Sequence, residues 1–173
     1  VPVDAPVVDY PAVTADAVYV GLENTAMLQG WIHHLDRESG DTVWRRDGTR
    51  MQSPAVADET IYAPSLTMSM YRPSGVDAGG MSVSGHILWT PAVSGETSVV
   101  IGTGGILATK SYDDGPDWTL ELRGRPHSGP VVADDGEFLV GDDAELVGID
   151  YQQGKVLWRR PLDGEFGKRP AVA

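Results

Sequence analysis

A triplet of proline, then alanine or valine, then valine recurs along the chain at a nearly constant spacing. No other feature restricts the fold as strongly. The triplet stands at Pro11-Ala12-Val13, Pro54-Ala55-Val56, Pro91-Ala92-Val93, Pro130-Val131-Val132 and Pro170-Ala171-Val172, with gaps of 43, 37, 39 and 40 residues. Seven or eight positions after the proline comes a hydrophobic pair: Val18-Tyr19, Ile61-Tyr62, Val99-Val100 and Phe138-Leu139. A tryptophan closes each of four units, as Trp44, Trp89, Trp118 and Trp158. Self-similarity at a fixed period marks a repeat architecture with one supersecondary unit per repeat.

The clearest unit runs from Ser128 to Arg160. Its four apolar runs, Val131–Ala133, Phe138–Val140, Leu146–Ile149 and Val156–Trp158, are each three or four residues long and closed by Asp- or Gly-containing turns. Runs this short, rich in β-branched and aromatic residues, are strands, since helices need ten or more residues. Asp-Gly and similar pairs supply the positive φ of tight hairpins. The unit is therefore a four-stranded antiparallel meander, and a period near forty with four strands per unit is that of a β-propeller blade. The predicted fold is all-β, a β-propeller with about four blades at residues 10–47, 51–90, 91–123 and 128–161. An extended segment over 1–9 precedes them and another blade begins over 169–173.

The units differ in ways that bear on function. Pro2 and Pro6 exclude a helix at the start, and Val7-Val8 reads as an extra strand for a neighbouring blade, with a linker as the alternative. In the first unit about six residues, within LENTAMLQG, are inserted between the second strand and the third strand Trp31–Leu35. In the second unit Ile61-Tyr62-Ala63 is a strand. The stretch PSLTMSMYRPSGVDAGGMSVSG that follows shows no regular third strand, and Ser82–Trp89 reads as the turn and fourth strand. The third unit carries Ala92-Val93, Ser98–Ile101, Ile106–Thr109 and Trp118–Leu120, with its turn at Asp113-Asp114-Gly115-Pro116.

In Leu35-Asp36-Arg37-Glu38-Ser39-Gly40-Asp41-Thr42-Val43-Trp44 and Ile149-Asp150-Tyr151-Gln152-Gln153-Gly154-Lys155-Val156-Leu157-Trp158 the chain resembles the L-D-x-x-x-G-x-x-x-W signature of the PQQ-like, quinoprotein-type repeat family. The family includes quinoprotein alcohol dehydrogenases and the propeller lipoprotein of outer-membrane assembly. The resemblance covers the chain from about Tyr10 onward, most fully in the first and fourth units. It implies a ring of seven or eight blades, of which four make half. An open half would leave two apolar blade faces of several hundred Å² each, on the order of 10 kcal/mol apiece at about 25 cal/mol per Å². Three resolutions follow, in order of preference: a piece of a longer protein, two half-rings completing one ring, or a four-blade closure. The resemblance also implies that the recurring Trp44, Trp89, Trp118 and Trp158 pack between blades.

Charge narrows the partners. With 25 acidic and 13 basic residues the chain carries −12, the wrong sign for nucleic acid. Only Lys110, Lys155 and Lys168 are lysines, and the acidic, lysine-poor, Ala/Gly/Val/Asp-rich composition resembles that of a haloarchaeal or GC-rich proteome, an ordinary acidic protein being the alternative. No apolar run is long enough to span a membrane. Together with the resemblance this implies an exported or cell-surface protein, a cytoplasmic one remaining open.

No catalytic constellation emerges. There is no cysteine and no nucleophile elbow. His33 and His34 are neighbours on a strand and point to opposite faces, and His86 and His127 stand alone. Asp113-Asp114, Asp134-Asp135 and Asp142-Asp143 lack the alternation and terminal glutamate of a calcium loop and read as turns. Gly102-Thr103-Gly104-Gly105 has no helix after it and is a turn as well. The two lengthened connections both join second to third strands and so emerge on one face, where insertions mark binding surfaces. The expected partner-binding residues are Leu22, Met27, Leu28 and Trp31 from the first and Met68, Met70, Tyr71 and Arg72 from the second, Met and aromatic residues suiting an adaptable protein interface. The sequence thus points to a cofactor-free, non-catalytic binding or scaffold propeller. The alternatives are a quinoprotein dehydrogenase, holding PQQ and calcium in a complete ring, and a sensor domain of a signalling protein.

Overall fold

The computed structural model describes residues 6–163 apart from 9, 25, 83–84, 96, 104, 112–115, 125, 127, 134–136 and 143. The described residues form strands and turns without a helix, and the chain divides into two compact units, Val1–Ser82 and Val83–Ala173.

The first unit holds two antiparallel sheets. One consists of β1 (Ala12–Val13), β2 (Ala17–Asn24), β3 (Gln29–Asp36) and β4 (Thr42–Gly48), the other of β5 (Ala55–Ala57), β6 (Thr60–Pro64), β7 (Thr67–Tyr71) and β8 (Asp77–Ser82). The second unit repeats the plan with β9 (Ala92–Ser94), β10 (Thr97–Ile101), β11 (Ile106–Ser111) and β12 (Trp118–Glu121), then β13 (Val131–Val132), β14 (Glu137–Asp142), β15 (Glu145–Asp150) and β16 (Lys155–Pro161). In every sheet the spatial order equals the chain order, the meander of a propeller blade. Each first strand starts on the residue after a recurring proline, at Ala12, Ala55, Ala92 and Val131. Proline has no N–H to give to a ladder and is tolerated at a strand's start.

The second strands carry the cores. All five residues of β6 are buried, as are Val99, Val100 and Ile101 of β10. A strand covered on both faces reads as an unbroken apolar run rather than an alternating one. Ala17, Tyr19, Ile32, Met51, Ile61, Ala63 and Tyr71 form the main core of the first unit. Ala92, Val99, Ile101, Leu122, Phe138, Val140, Val147 and Ile149 form that of the second.

Three sequence expectations change here. Pro6–Val8 does not serve a neighbouring blade. It lies along its own sheet, with Val7 opposite Leu22 and the Val8 N–H donating to the Gly21 carbonyl at 2.9 Å. The buried Ser53 hydroxyl then ties this segment to the second sheet, donating to the Val8 carbonyl (2.5 Å) and accepting from the Tyr10 N–H (2.9 Å). Second, the insertion in LENTAMLQG is no loop. It lengthens β2 and β3 to eight residues each, paired from Ala17–Asp36 to Asn24–Gln29.

Third, the second unit of the sequence does have a regular third strand, β7, in which Met68 and Met70 point inward. Its fourth strand is Asp77–Ser82, not Ser82–Trp89. Methionine has no β-branch and glycine weakens strands, so both were masked by low strand propensity. Gly80 is needed because a Cβ there would stand 2.5 Å from the Met68 carbonyl oxygen. The residues read as the end of that blade open the next: Ile87 pairs with Gly102, and the Leu88 N–H donates to the Ile101 carbonyl at 3.0 Å. The turns expected at Asp113–Gly115 and Asp134–Gly136, together with Gly104, His127, Asp143 and the fifth unit at 169–173, lie outside the described residues.

Candidate functional site

The L-D-x-x-x-G-x-x-x-W signature is a hairpin device between third and fourth strands. Asp36 Oδ1 accepts the N–H groups of Glu38 (3.1 Å) and Ser39 (2.7 Å), and Asp150 Oδ1 accepts those of Gln152 (2.9 Å) and Gln153 (2.8 Å). This is the Asx turn that aspartate favours. Gly40 and Gly154 follow with φ of 75° and 64°, and each donates its N–H to the aspartate's carbonyl at 2.9 Å. Positive φ is the left-handed region that glycine enters without steric cost. A bulge between His34 and Leu35, and between Gly148 and Ile149, then sets Trp44 opposite His34 and Trp158 opposite Gly148.

The Ser39 amide, first among several donors, holds the Asp36 carboxyl below its ordinary 3.8. A depressed folded pKa gives a contribution that is whole above the unfolded value and lost as pH falls through the folded one. The stability gap between the natural chain and Asp36→Ala is therefore expected to narrow when pH is lowered from above 3.8. Urea titrations at stepped pH check it, and a pH-independent gap would refute the carboxylate's part.

Two tryptophans use a turn between third and fourth strands as a seat. The Trp44 indole N–H donates to the Pro73 carbonyl at 2.7 Å, in the turn between β7 and β8, and the Trp118 indole donates to the Tyr151 carbonyl at 2.9 Å, between β15 and β16. Beneath each ring lies a turn glycine. A Cβ on Gly75 (φ 81°) would come within 3.1 Å of Trp44, and one on Gly154 within 2.3 Å of Trp118. Trp44 also meets Tyr19, His34 and Tyr71 at centroid distances of 6.1, 5.4 and 5.9 Å. His34 belongs to this cluster, its Nδ1 lying 3.2 Å from the same Pro73 carbonyl. Trp89 does not share the pattern. It sits in a bend and packs on the core of the second unit, while the tryptophan's place in the second sheet, opposite Met70, is taken by Gly79.

The eight expected partner-binding residues separate into two groups. Leu22, Met68 and Met70 are 1%, 1% and 2% exposed, and Tyr71 is buried against Trp44. All four are core residues: alternation along β2 and β7 turns Leu22, Met68 and Met70 inward, and Tyr71, next to Met70 and so on the opposite face, is covered by Trp44. Replacing Met70 or Tyr71 would therefore probe folding rather than recognition. Arg72 is exposed, and its guanidinium reaches the Thr60 hydroxyl at 3.2 Å. Met27 and Leu28 are 67% and 48% exposed at the tip of the long β2–β3 hairpin. The tip is built by Asn24, whose carbonyl and side-chain oxygens both take the Met27 N–H (3.2 and 3.3 Å), and by Leu28 itself at φ 54°. Trp31 is half-buried on β3, with the Arg45 guanidinium 5.0 Å above its ring.

Among the described residues no group of three or more His, Cys, Asp or Glu side chains is placed to hold a metal ion, and no helix is long and apolar enough to cross a membrane. The features that sequence reasoning passed over are the seats themselves, Pro73 and Gly75 above all. The second-unit turn is one residue shorter and lacks the aspartate, so only its glycine signals it.

Comparison with known proteins agrees with this architecture. The family model described as outer membrane protein assembly factor BamB matches residues 28–173. Among solved structures, BamB from Moraxella catarrhalis superposes with a TM-score of 0.73 at 20% identity, over 94% of this chain and 52% of that one. At that identity the likeness speaks for the propeller fold, and the chain spans about half the length of that protein. No curated protein matches in sequence.

Proposed function

The chain belongs to the family described as outer membrane protein assembly factor BamB, and from that membership we propose that it is a non-catalytic, cofactor-free scaffold propeller that binds protein partners in the cell envelope. The observation that carries the reading is the β2–β3 tip, where Met27 and Leu28 are held out by a turn that costs a left-handed leucine. A non-glycine residue at positive φ is uncommon and persists where surrounding structure or function holds it. Two adjacent flexible apolar side chains in water suit a partner surface that must adapt. An exported location and a haloarchaeal setting belong to the same proposal, supported by the charge of −12 and the three lysines. So does completion of the ring by blades beyond those described, supported by the 52% coverage of the BamB structure.

A photo-crosslinking residue at position 27 or 28, in cells of the source, is expected to trap a defined envelope protein. The same probe at the exposed Glu38 is expected to trap none. Met27→Ser with Leu28→Ser should weaken capture by about tenfold or more, as loss of a small apolar hot spot does, with the urea midpoint unchanged. Equal labelling at positions 28 and 38 would remove the tip from the binding surface.

A further inference from the structure

The chain has five methionines and no cysteine. Four of the thioethers are hidden. Met51, Met68, Met70 and Met81 are 2%, 1%, 2% and 3% exposed. Met51 and Met70 lay their methyl groups over glycines, Cε standing 2.8 Å from the place of a Cβ on Gly48 and 3.5 Å from that of one on Gly79. Met27 is the fifth, and it is 67% exposed at the β2–β3 tip. Ala26, Leu28 and Gln29 beside it are exposed as well. The backbone beneath is pinned, since both Asn24 oxygens take the Met27 N–H and Leu28 holds a φ of 54°.

That distribution directs oxidants to one atom. An exposed thiolate is ordinarily attacked first, and this chain has no cysteine to supply one. A thioether reacts only where the oxidant can reach sulfur, so the four buried ones must wait for a local opening. Oxidation also changes what Met27 is, because the sulfoxide replaces a flexible apolar side chain by a polar one.

We propose that Met27 is a selective oxidation site, and that its conversion to the sulfoxide by a peroxide-class oxidant switches the tip from apolar to polar. The Met27 sulfur gives an electron pair to one peroxide oxygen. An S–O bond forms as the O–O bond breaks, the proton passes to the departing oxygen, and the peroxide leaves reduced to water. Sulfur is oxidised by two electrons, and a sulfoxide reductase fed by a dithiol returns them, with water and a disulfide as products. The consequence for partner capture rests on the tip reading above, since a sulfoxide oxygen buried against an apolar partner lacks a donor. The chemistry itself rests on exposure.

Hydrogen peroxide added to the folded chain, followed by peptide mass mapping, tests that chemistry. One added oxygen is expected, on the peptide holding Met27, at a rate about tenfold or more above that of any other methionine. In urea all five should take up oxygen alike. Retention on a hydrophobic-interaction column should fall with the first oxygen and recover after methionine sulfoxide reductases with dithiothreitol. Peroxide should leave the retention of Met27→Leu where it was. Capture by a crosslinker at position 28 should drop about tenfold on oxidation, as burial of an unpaired polar group implies, and peroxide should not lower it in Met27→Leu. Oxygen entering a buried methionine as fast as Met27, or retention or capture indifferent to the Met27 sulfoxide, overturns the proposal. A tip that captures nothing before or after peroxide, while mass and retention change as expected, removes the partner reading and leaves the oxidation site standing.

Discussion

Alanine at Gly154 is expected to destabilise the chain by about 3 kcal/mol, and the same change at Gly40 by about 1 kcal/mol. Both glycines have positive φ, 64° and 75°, so alanine carries a similar conformational cost at either, up to about 1 kcal/mol. Only at Gly154 must the new methyl displace an aromatic ring, because its position lies 2.3 Å from Trp118 Cδ2. Overpacking of this kind adds about 1–3 kcal/mol, and the Trp118–Tyr151 hydrogen bond of 2.9 Å is put at risk as the ring moves. Urea denaturation of both variants measures the difference. Equal losses would mean that Trp118 does not rest on Gly154 in solution.

Trp44 offers the reciprocal test. Trp44→Ala is expected to cost the first unit about 3 kcal/mol, the low end for emptying a tryptophan site, since the ring is only half-buried. Trp44→Phe should cost about 1 kcal/mol, near the net value of one hydrogen bond. Phenylalanine keeps contact with Tyr19, His34 and Tyr71 but cannot donate to the Pro73 carbonyl, 2.7 Å from the indole nitrogen. Thermal and urea unfolding of the pair decide the matter. If phenylalanine proved as costly as alanine, the indole N–H rather than the packing would dominate.

The propeller blade was legible wherever local chemistry agreed with the tertiary role. In the first and fourth sheets aspartate and glycine fall at a fixed offset because the hairpin needs both, and the tryptophan follows at a fixed place on the fourth strand. In the second sheet that agreement fails. Gly79 replaces the tryptophan, the turn is a residue shorter, and β7 alternates Thr, Met, Ser, Met and Tyr without a β-branched apolar residue. Trp89, lying at about the right distance, was then drawn into the empty place. The same cause misplaced half of the candidate surface. Leu22, Met68 and Met70 look like loop residues only if the strands are taken to end early, and inward alternation makes them core. Met27 and Leu28 differ because the chain reverses there. The Asn24 side chain that caps the reversal is the one local sign of it in the sequence.

Gly75 and Gly154 each sit in one blade, yet the side chain that crowds out a methyl group there, Trp44 or Trp118, belongs to the blade before. Blades of this kind are consequently not interchangeable modules. Moved behind a blade without an indole, the β13–β16 sheet would free its glycine to vary. Moved behind one that has it, a blade with alanine at that place would be refused. The residue tolerated at a turn therefore reports on the identity of its upstream neighbour, and a library of shuffled blades should sort itself by that single rule of adjacency.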